Sequence, residues 1–413
     1  MIDKLSLIKS EEMYAHAKTV HPGGVLGIRR PYNFIKGETP IFFKSGKGSK
    51  VIDVDGNEFL DMLCAYGPIV VGYREDEIDK AVIEQIQNNG VCFSLTQPIH
   101  NELSETLKKH IPCCETSIFL KTGSDATTAA IRAARSFTGK NKILRCGYHG
   151  WHDWCVESKG GIPKKNYEDI LEFEYNNFES LEKAVKEGGT DIAAVILTPI
   201  NHPLGGKVEF PKKNFLENVR DICTTKGMVL IFDEIRTGFR VSMGGAQKIF
   251  NVTPDLACFG KALANGYPIS VLAGKKEVMG SYEKKAFISS TFFENGTDLV
   301  AAQTTINFLE KNNVLDDIKA KGDYLEKNIN VFIKKYEGIC EYSGGPWMPF
   351  FTFYENKTVN YKILRKKFFT NFLRNKIFIQ TAHHSYLSYR HSYDDINHFL
   401  NIAESGLKDS ISL

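Results

Sequence analysis

Between residues 117 and 260 the chain repeats one pattern. A short, mostly apolar run is followed by a polar or glycine-rich break and then by apolar residues at helical spacing. The runs are Ser117-Ile118-Phe119-Leu120, Lys142-Ile143-Leu144, Ile192 to Leu197, and Met228-Val229-Leu230-Ile231-Phe232. The last is apolar at every position and follows Phe215, Val219 and Ile222 at helical spacing, which predicts a strand buried on both faces. Alternating strands and helices predict a mainly parallel sheet. Ligands of such sheets bind at the carboxyl ends of the strands. The positions of interest therefore lie just after Leu120, Leu144, Leu197, Phe232 and Phe259.

The pattern changes from about residue 305. Lysine and aromatic residues rise through Tyr361 to Phe378. Val331-Phe332-Ile333 predicts a helix end and Phe350 to Tyr354 a strand. Ser392 with Asp395 makes a capping box ahead of Ile396, Phe399, Leu400, Ala403 and Leu407. A smaller α+β domain is expected there.

Apolar residues make up 42% of the 413 and charged residues 24%, a globular usage rather than a disordered one. Lys plus Arg (52) nearly balances Asp plus Glu (49), so no basic excess points to nucleic acid. No apolar run reaches the length of a membrane span, and Met1 to Leu5 lacks the order of a signal peptide. The nine cysteines are scattered, with no Cys-x-x-Cys pair, which predicts reduced thiols in a cytoplasmic protein and no metal site.

Each predicted strand end carries chemistry. Thr122-Gly123-Ser124-Asp125 opens an alanine-rich helix, whose N-terminus suits a phosphate; the same residues also suit a simple cap. Gly147-Tyr148-His149-Gly150 presents an aromatic ring for a flat ligand or for a turn in the core. Asp233 ends an apolar strand, where a carboxylate needs a cationic partner. Lys261 lies between an apolar strand and a small-residue loop, as a desolvated amine or as a surface lysine. Phosphate cradle, flat aromatic, carboxylate and amine together are the groups pyridoxal phosphate requires.

The sequence resembles the class III pyridoxal-phosphate aminotransferases, most closely the glutamate-1-semialdehyde aminomutase branch. The matching segments include His21-Pro22-Gly23-Gly24, Asp53-Val54-Asp55-Gly56-Asn57, Tyr66-Gly67-Pro68, Thr122 to Ala126, Tyr148-His149-Gly150, Phe232 to Ile235, Thr237 to Arg240, and Thr253-Pro254-Asp255 through Gly260-Lys261. The resemblance implies an α/β fold of the PLP-dependent transferase fold type I. It places an N-terminal segment at 1–60 packing with the small domain, a large cofactor domain at 61–304 and a small domain at 305–413. It implies that Lys261 is the Schiff-base lysine and proton shuttle, and that Asp233 partners the ring nitrogen. Tyr148 is implied to stack on the ring, and Gly123 and Ser124 to bind the phosphate. Thr291 is implied to reach the partner subunit's phosphate in a homodimer with shared sites. Arg30, or its neighbour Arg29, with Tyr66, is implied to lie near the substrate.

Three places depart from the family. Phe292-Phe293-Glu294-Asn295-Gly296 replaces a Ser-Gly-Asn-Pro stretch, and Thr198-Pro199 replaces Glu-Pro. His383-His384 falls where the family carries a charged Glu or Arg toward the substrate, or else forms a turn of the small domain. The expected activity is ping-pong transfer of an amino group from an amino acid to a carbonyl acceptor. The missing charged readers suggest an acceptor of the sugar or polyol type. Two alternatives are an aminomutase that keeps the amino group on one skeleton, and a cofactor-binding protein without catalysis.

Overall fold

The computed structural model describes residues 3–203, 205–355 and 360–411. Its strands in chain order are β1 (Phe43–Lys47), β2 (Lys50–Asp53), β3 (Glu58–Asp61), β4 (Thr116–Leu120), β5 (Lys142–Cys146), β6 (Ile170–Glu172), β7 (Ile192–Leu197), β8 (Val229–Asp233), β9 (Leu256–Phe259), β10 (Ser270–Gly274), β11 (Cys340–Ser343), β12 (Phe350–Phe353) and β13 (Ile377–Phe378). The chain divides into two compact units: 1–75 with 204–208 and 316–413, and 76–203 with 209–315.

The second unit is built on a seven-stranded sheet of order β4-β10-β9-β8-β7-β5-β6. β9, β8, β7, β5 and β6 pair in parallel, whereas β10 runs antiparallel between β4 and β9. Every residue of β7 and β8 is buried, which is why their sequences are apolar throughout except for Asp233 at the end of β8. The helix Gly123–Thr138 buries Ala126, Ala129, Ala130, Ala133 and Ala134 in the core shared with Ile143, Ala194, Ile231 and Cys258. Small side chains let its backbone approach the sheet closely. Its cap is Thr122: the Thr122 N–H donates to Asp125 Oδ2 at 2.8 Å and the Asp125 N–H to Thr122 Oγ1 at 3.2 Å. Gly123 and Ser124 thus occupy the first turn, where helix N–H groups have no intrahelical acceptor.

The first unit joins the two ends of the chain. β13 pairs in parallel with β3, Ile377 opposite Leu60 and Phe378 opposite Asp61, on the edge of the sheet β1-β2-β3-β13. β11 and β12 form a separate antiparallel pair. The helix Tyr393–Ile411 starts on the Ser392–Asp395 capping box, with bonds of 2.9 and 3.0 Å. Compared with the boundaries expected from sequence, residues 61–75 and 204–208 go with the chain ends and 305–315 with the large unit. The strand pairing on β3 and the helix Gly296–Lys311 account for the two larger changes.

Candidate active site

Within the large unit, the carboxyl ends of β4, β5, β8 and β9 bring Ser124, Tyr148, Asp233 and Lys261 onto one edge of one sheet. Ile235 ties three of these ends together. A Cβ on Gly123 or on Gly260 would lie 3.2 Å from Ile235 Cδ1, a tight contact that Ile235 would have to relieve by a small shift. Gly150 likewise has φ +118°, and a Cβ there would lie 2.3 Å from Ser124 Oγ. Ser124 Oγ accepts from the Trp151 N–H at 3.1 Å, which leaves the hydroxyl proton to donate elsewhere.

Asp233 is buried and doubly held. Its Oδ1 accepts from the Ile235 N–H at 3.1 Å, and its Oδ2 lies 2.8 Å from His149 Nδ1. His149 is also buried, with Nε2 at 3.1 Å from the Cys146 carbonyl oxygen. Both atoms facing the imidazole are acceptors, so each ring nitrogen must carry a hydrogen for both contacts to be hydrogen bonds. His149 thereby fixes the Asp233 carboxylate. Its partner lies 84 residues away, so the sequence carries no local sign of this link.

Lys261 follows β9 with φ +46°, a left-handed conformation that costs a non-glycine residue energy and marks a constrained position. Burial pushes its ammonium well below the ordinary lysine range, and the Arg236 and Arg240 guanidinium groups push the same way against Asp233. The shift favours the uncharged amine, whose lone pair a Schiff base needs. Arg236 is itself buried and meets His202 Nδ1 at 2.9 Å. Glu234, fully buried, accepts from the Ala246 and Gln247 N–H groups at 2.8 and 3.0 Å and holds that loop. Thr198 Oγ1 is buried with no hydrogen-bond partner among the described residues. Tyr148 is 41% exposed, and Thr291 is exposed with its carbonyl 3.3 Å from Cys92 Sγ.

The donor set matches pyridoxal phosphate. A helix N-terminus with a serine hydroxyl suits its phosphate, an anchored carboxylate suits a protonated ring nitrogen, and a buried amine of lowered basicity suits its aldehyde. His152, the other imidazole of that loop, bonds Thr128 Oγ1 at 2.8 Å instead.

The smaller unit gathers its own group. The Tyr66 ring meets His383 edge-on at 5.0 Å, and His383 stacks on His384 at 4.3 Å. His384 Nε2 lies 2.6 Å from Tyr386 Oη, and all of these except Tyr66 are buried. Arg29 lies over the Tyr66 ring at 5.5 Å. Arg30 instead donates to the Val25 carbonyl at 3.3 Å. Cys64, Ala65 and Tyr66 all have positive φ (47°, 52° and 70°), so Tyr66 is presented on a left-handed turn made without glycine.

The family model for aminotransferase class III matches residues 33–398. A 3-aminobutyryl-CoA aminotransferase of Cloacimonas acidaminovorans is 52% identical over 99% of both chains. A glutamate-1-semialdehyde 2,1-aminomutase of Methanosphaera stadtmanae is 33% identical over 98% of this chain and 99% of its own. The FumI protein of Sphingopyxis sp. MTA144, solved in the PLP internal aldimine form, superposes with a TM-score of 0.91 at 28% identity, over 97% of this chain and 96% of its own.

Proposed function

The chain belongs to the class III aminotransferases, which work with pyridoxal phosphate, and from that premise we propose that it moves the 3-amino group of a 3-aminoacyl-CoA thioester, such as 3-aminobutyryl-CoA, to a carbonyl acceptor. The full-length likeness to the 3-aminobutyryl-CoA enzyme carries the choice of substrate. His383 and His384 support it. A free carboxylate is best read by a fixed cation such as arginine, whereas a thioester offers a carbonyl oxygen that one N–H donor can meet. The sugar or polyol acceptor expected from the sequence finds no support among these relatives, and the thioester accounts equally well for the missing charged readers.

When bound, pyridoxal phosphate supplies an aldehyde for the substrate nitrogen and a ring that accepts electrons as the carbon–hydrogen bond breaks. The rest falls to the chain. Gly123 and Ser124 hold the phosphate. Asp233, steadied by His149, keeps the ring nitrogen protonated. Tyr148 covers the ring. Lys261 would hold the cofactor through its amine and move a proton at the substrate carbon, a role that its lowered basicity favours.

The working enzyme is a cytoplasmic homodimer. Phe93 (45% exposed), Leu95 (80%) and Phe292 (62%) line one open groove together with Thr291, an apolar surface that a second copy would cover. No disulfide joins the nine cysteines. Among the described residues no helix is long and apolar enough to cross a membrane.

The test is a half-reaction. Holoenzyme mixed with 3-aminobutyryl-CoA and no acceptor should lose its cofactor aldehyde absorbance in one turnover, and a 2-oxo acid should restore it. Free 3-aminobutyrate should act at least about tenfold more slowly. A chain that converts only free amino acids refutes the thioester. The likeness to aminomutases favours a second reading, in which turnover proceeds on one substrate with no separate acceptor.

A further inference from the structure

Residues of the smaller unit enclose a cavity of about 630 Å³, inside the range of roughly 300–1,000 Å³ for small-molecule sites. That is far more room than a four-carbon acyl group needs. Phe34, Ile35 and Phe378 give it apolar walls, and Lys18, Arg29 and Lys36 give it cations. Tyr66 belongs both to this wall and to the cluster with His383.

The cavity stays open because one wall has little to collapse with. The helix Ile8–Val20 buries only Ser10 and Ala17. Polar ties hold it instead: the Lys9 and Ser10 N–H groups donate to the Asp55 carboxylate at 2.8 and 3.0 Å, and Ser10 Oγ accepts from the Ile41 N–H at 2.8 Å. A helix without a buried apolar stripe is set in place without filling the space beside it. Two acids share the lining. Asp61 is engaged, accepting from Tyr73 Oη at 2.5 Å and from the Leu63 N–H at 2.8 Å. Glu11 lies exposed on the helix, against three cations.

We propose that this cavity takes the pantetheine arm of the acyl-CoA, with Lys18 and Lys36 meeting the phosphates. The arm alternates methyl-rich and amide segments, which suits apolar walls set with a few polar groups. Its phosphates suit lysines, which act as mobile point charges. The inference rests on the acyl-CoA reading above.

The experiment compares 3-aminobutyryl-CoA with 3-aminobutyryl-N-acetylcysteamine, a thioester that lacks the phosphates and most of the arm. Full-length holoenzyme should show a higher kcat/KM for the CoA ester by at least about tenfold, with the difference mainly in KM. In Lys18→Glu/Lys36→Glu that ratio should fall about tenfold, and raised salt should shrink it in the unmodified enzyme. Ala15→Trp, at an exposed helix position lining the cavity, should lower the same ratio by filling space. Retained cofactor absorbance shows that each variant is folded. If the unmodified enzyme uses both thioesters well but the variants leave the ratio unchanged, the cavity assignment is overturned while the acyl-CoA reading stands. If neither thioester reacts, both fall.

Discussion

Around Lys261 each chemical group sits at, or within a few residues of, the carboxyl end of a strand, and these ends meet through close glycine contacts to Ile235 and the His149–Asp233 bond. Tyr66, His383 and His384 sit on irregular backbone and are held by ring contacts and a left-handed turn. The first arrangement suits chemistry that must not vary, since preorganised groups on rigid elements hold their geometry best. The second suits selection among substrates, since loop residues change without disturbing a core. The comparison makes a prediction: damage in the cofactor cradle should abolish every reaction, whereas changes in the aromatic–imidazole cluster should redirect the enzyme.

The largest effect belongs to Lys261→Ala. Loss of both the covalent and the proton-carrying amine should lower kcat by at least about 10⁴-fold on any substrate. Asp233→Asn should follow, at roughly 10²–10³-fold in kcat, because a preorganised charge next to the ring is lost. His149→Ala should cost about 10–100-fold, in keeping with one hydrogen bond to a charged group; a changed pH dependence of the cofactor spectrum would distinguish loss of positioning from simple destabilisation. His383→Arg should be milder and different in kind. It should shift preference about tenfold toward the free 3-amino acid, measured as the ratio of the two kcat/KM values, with little loss of total activity.

The smallest effect is one of stability. Lys261 has a basicity lowered on folding, so between its folded value and the ordinary lysine value the unfolded chain binds more protons. The buried amine therefore costs stability at neutral pH, and that cost fades as pH rises toward 10.5. Cofactor-free Lys261→Met should melt above the unmodified chain at pH 7, with the gap closing as pH rises. A constant gap would place the lysine in a solvated site.

The same contrast decides what was legible in the sequence. β7 and β8 could be read directly, because strands buried on both faces leave unbroken apolar runs. The chemistry after them could be located because parallel strands all end on one edge. The Ser392–Asp395 box was equally plain, since its two partners lie three residues apart. β10 was missed: its antiparallel course between β4 and β9 leaves no signature of direction. The role of His149 was hidden because its meaning depends on a distant carboxylate. The turn at Cys64 to Tyr66 carries no glycine to announce three left-handed residues. The placing of 205–208 with the chain ends had no local sign, since a tie such as Val208 N–H to Ser343 Oγ joins positions 135 residues apart.

The central claim is that one buried amine, just after β9, holds the cofactor. Reduction of the holoenzyme with borohydride, digestion and peptide mass measurement tests it directly. The account predicts the mass of the reduced cofactor on the peptide containing Lys261 and on no other. A stoichiometric label on a different lysine, or none on an enzyme that retains its absorbance, would contradict it.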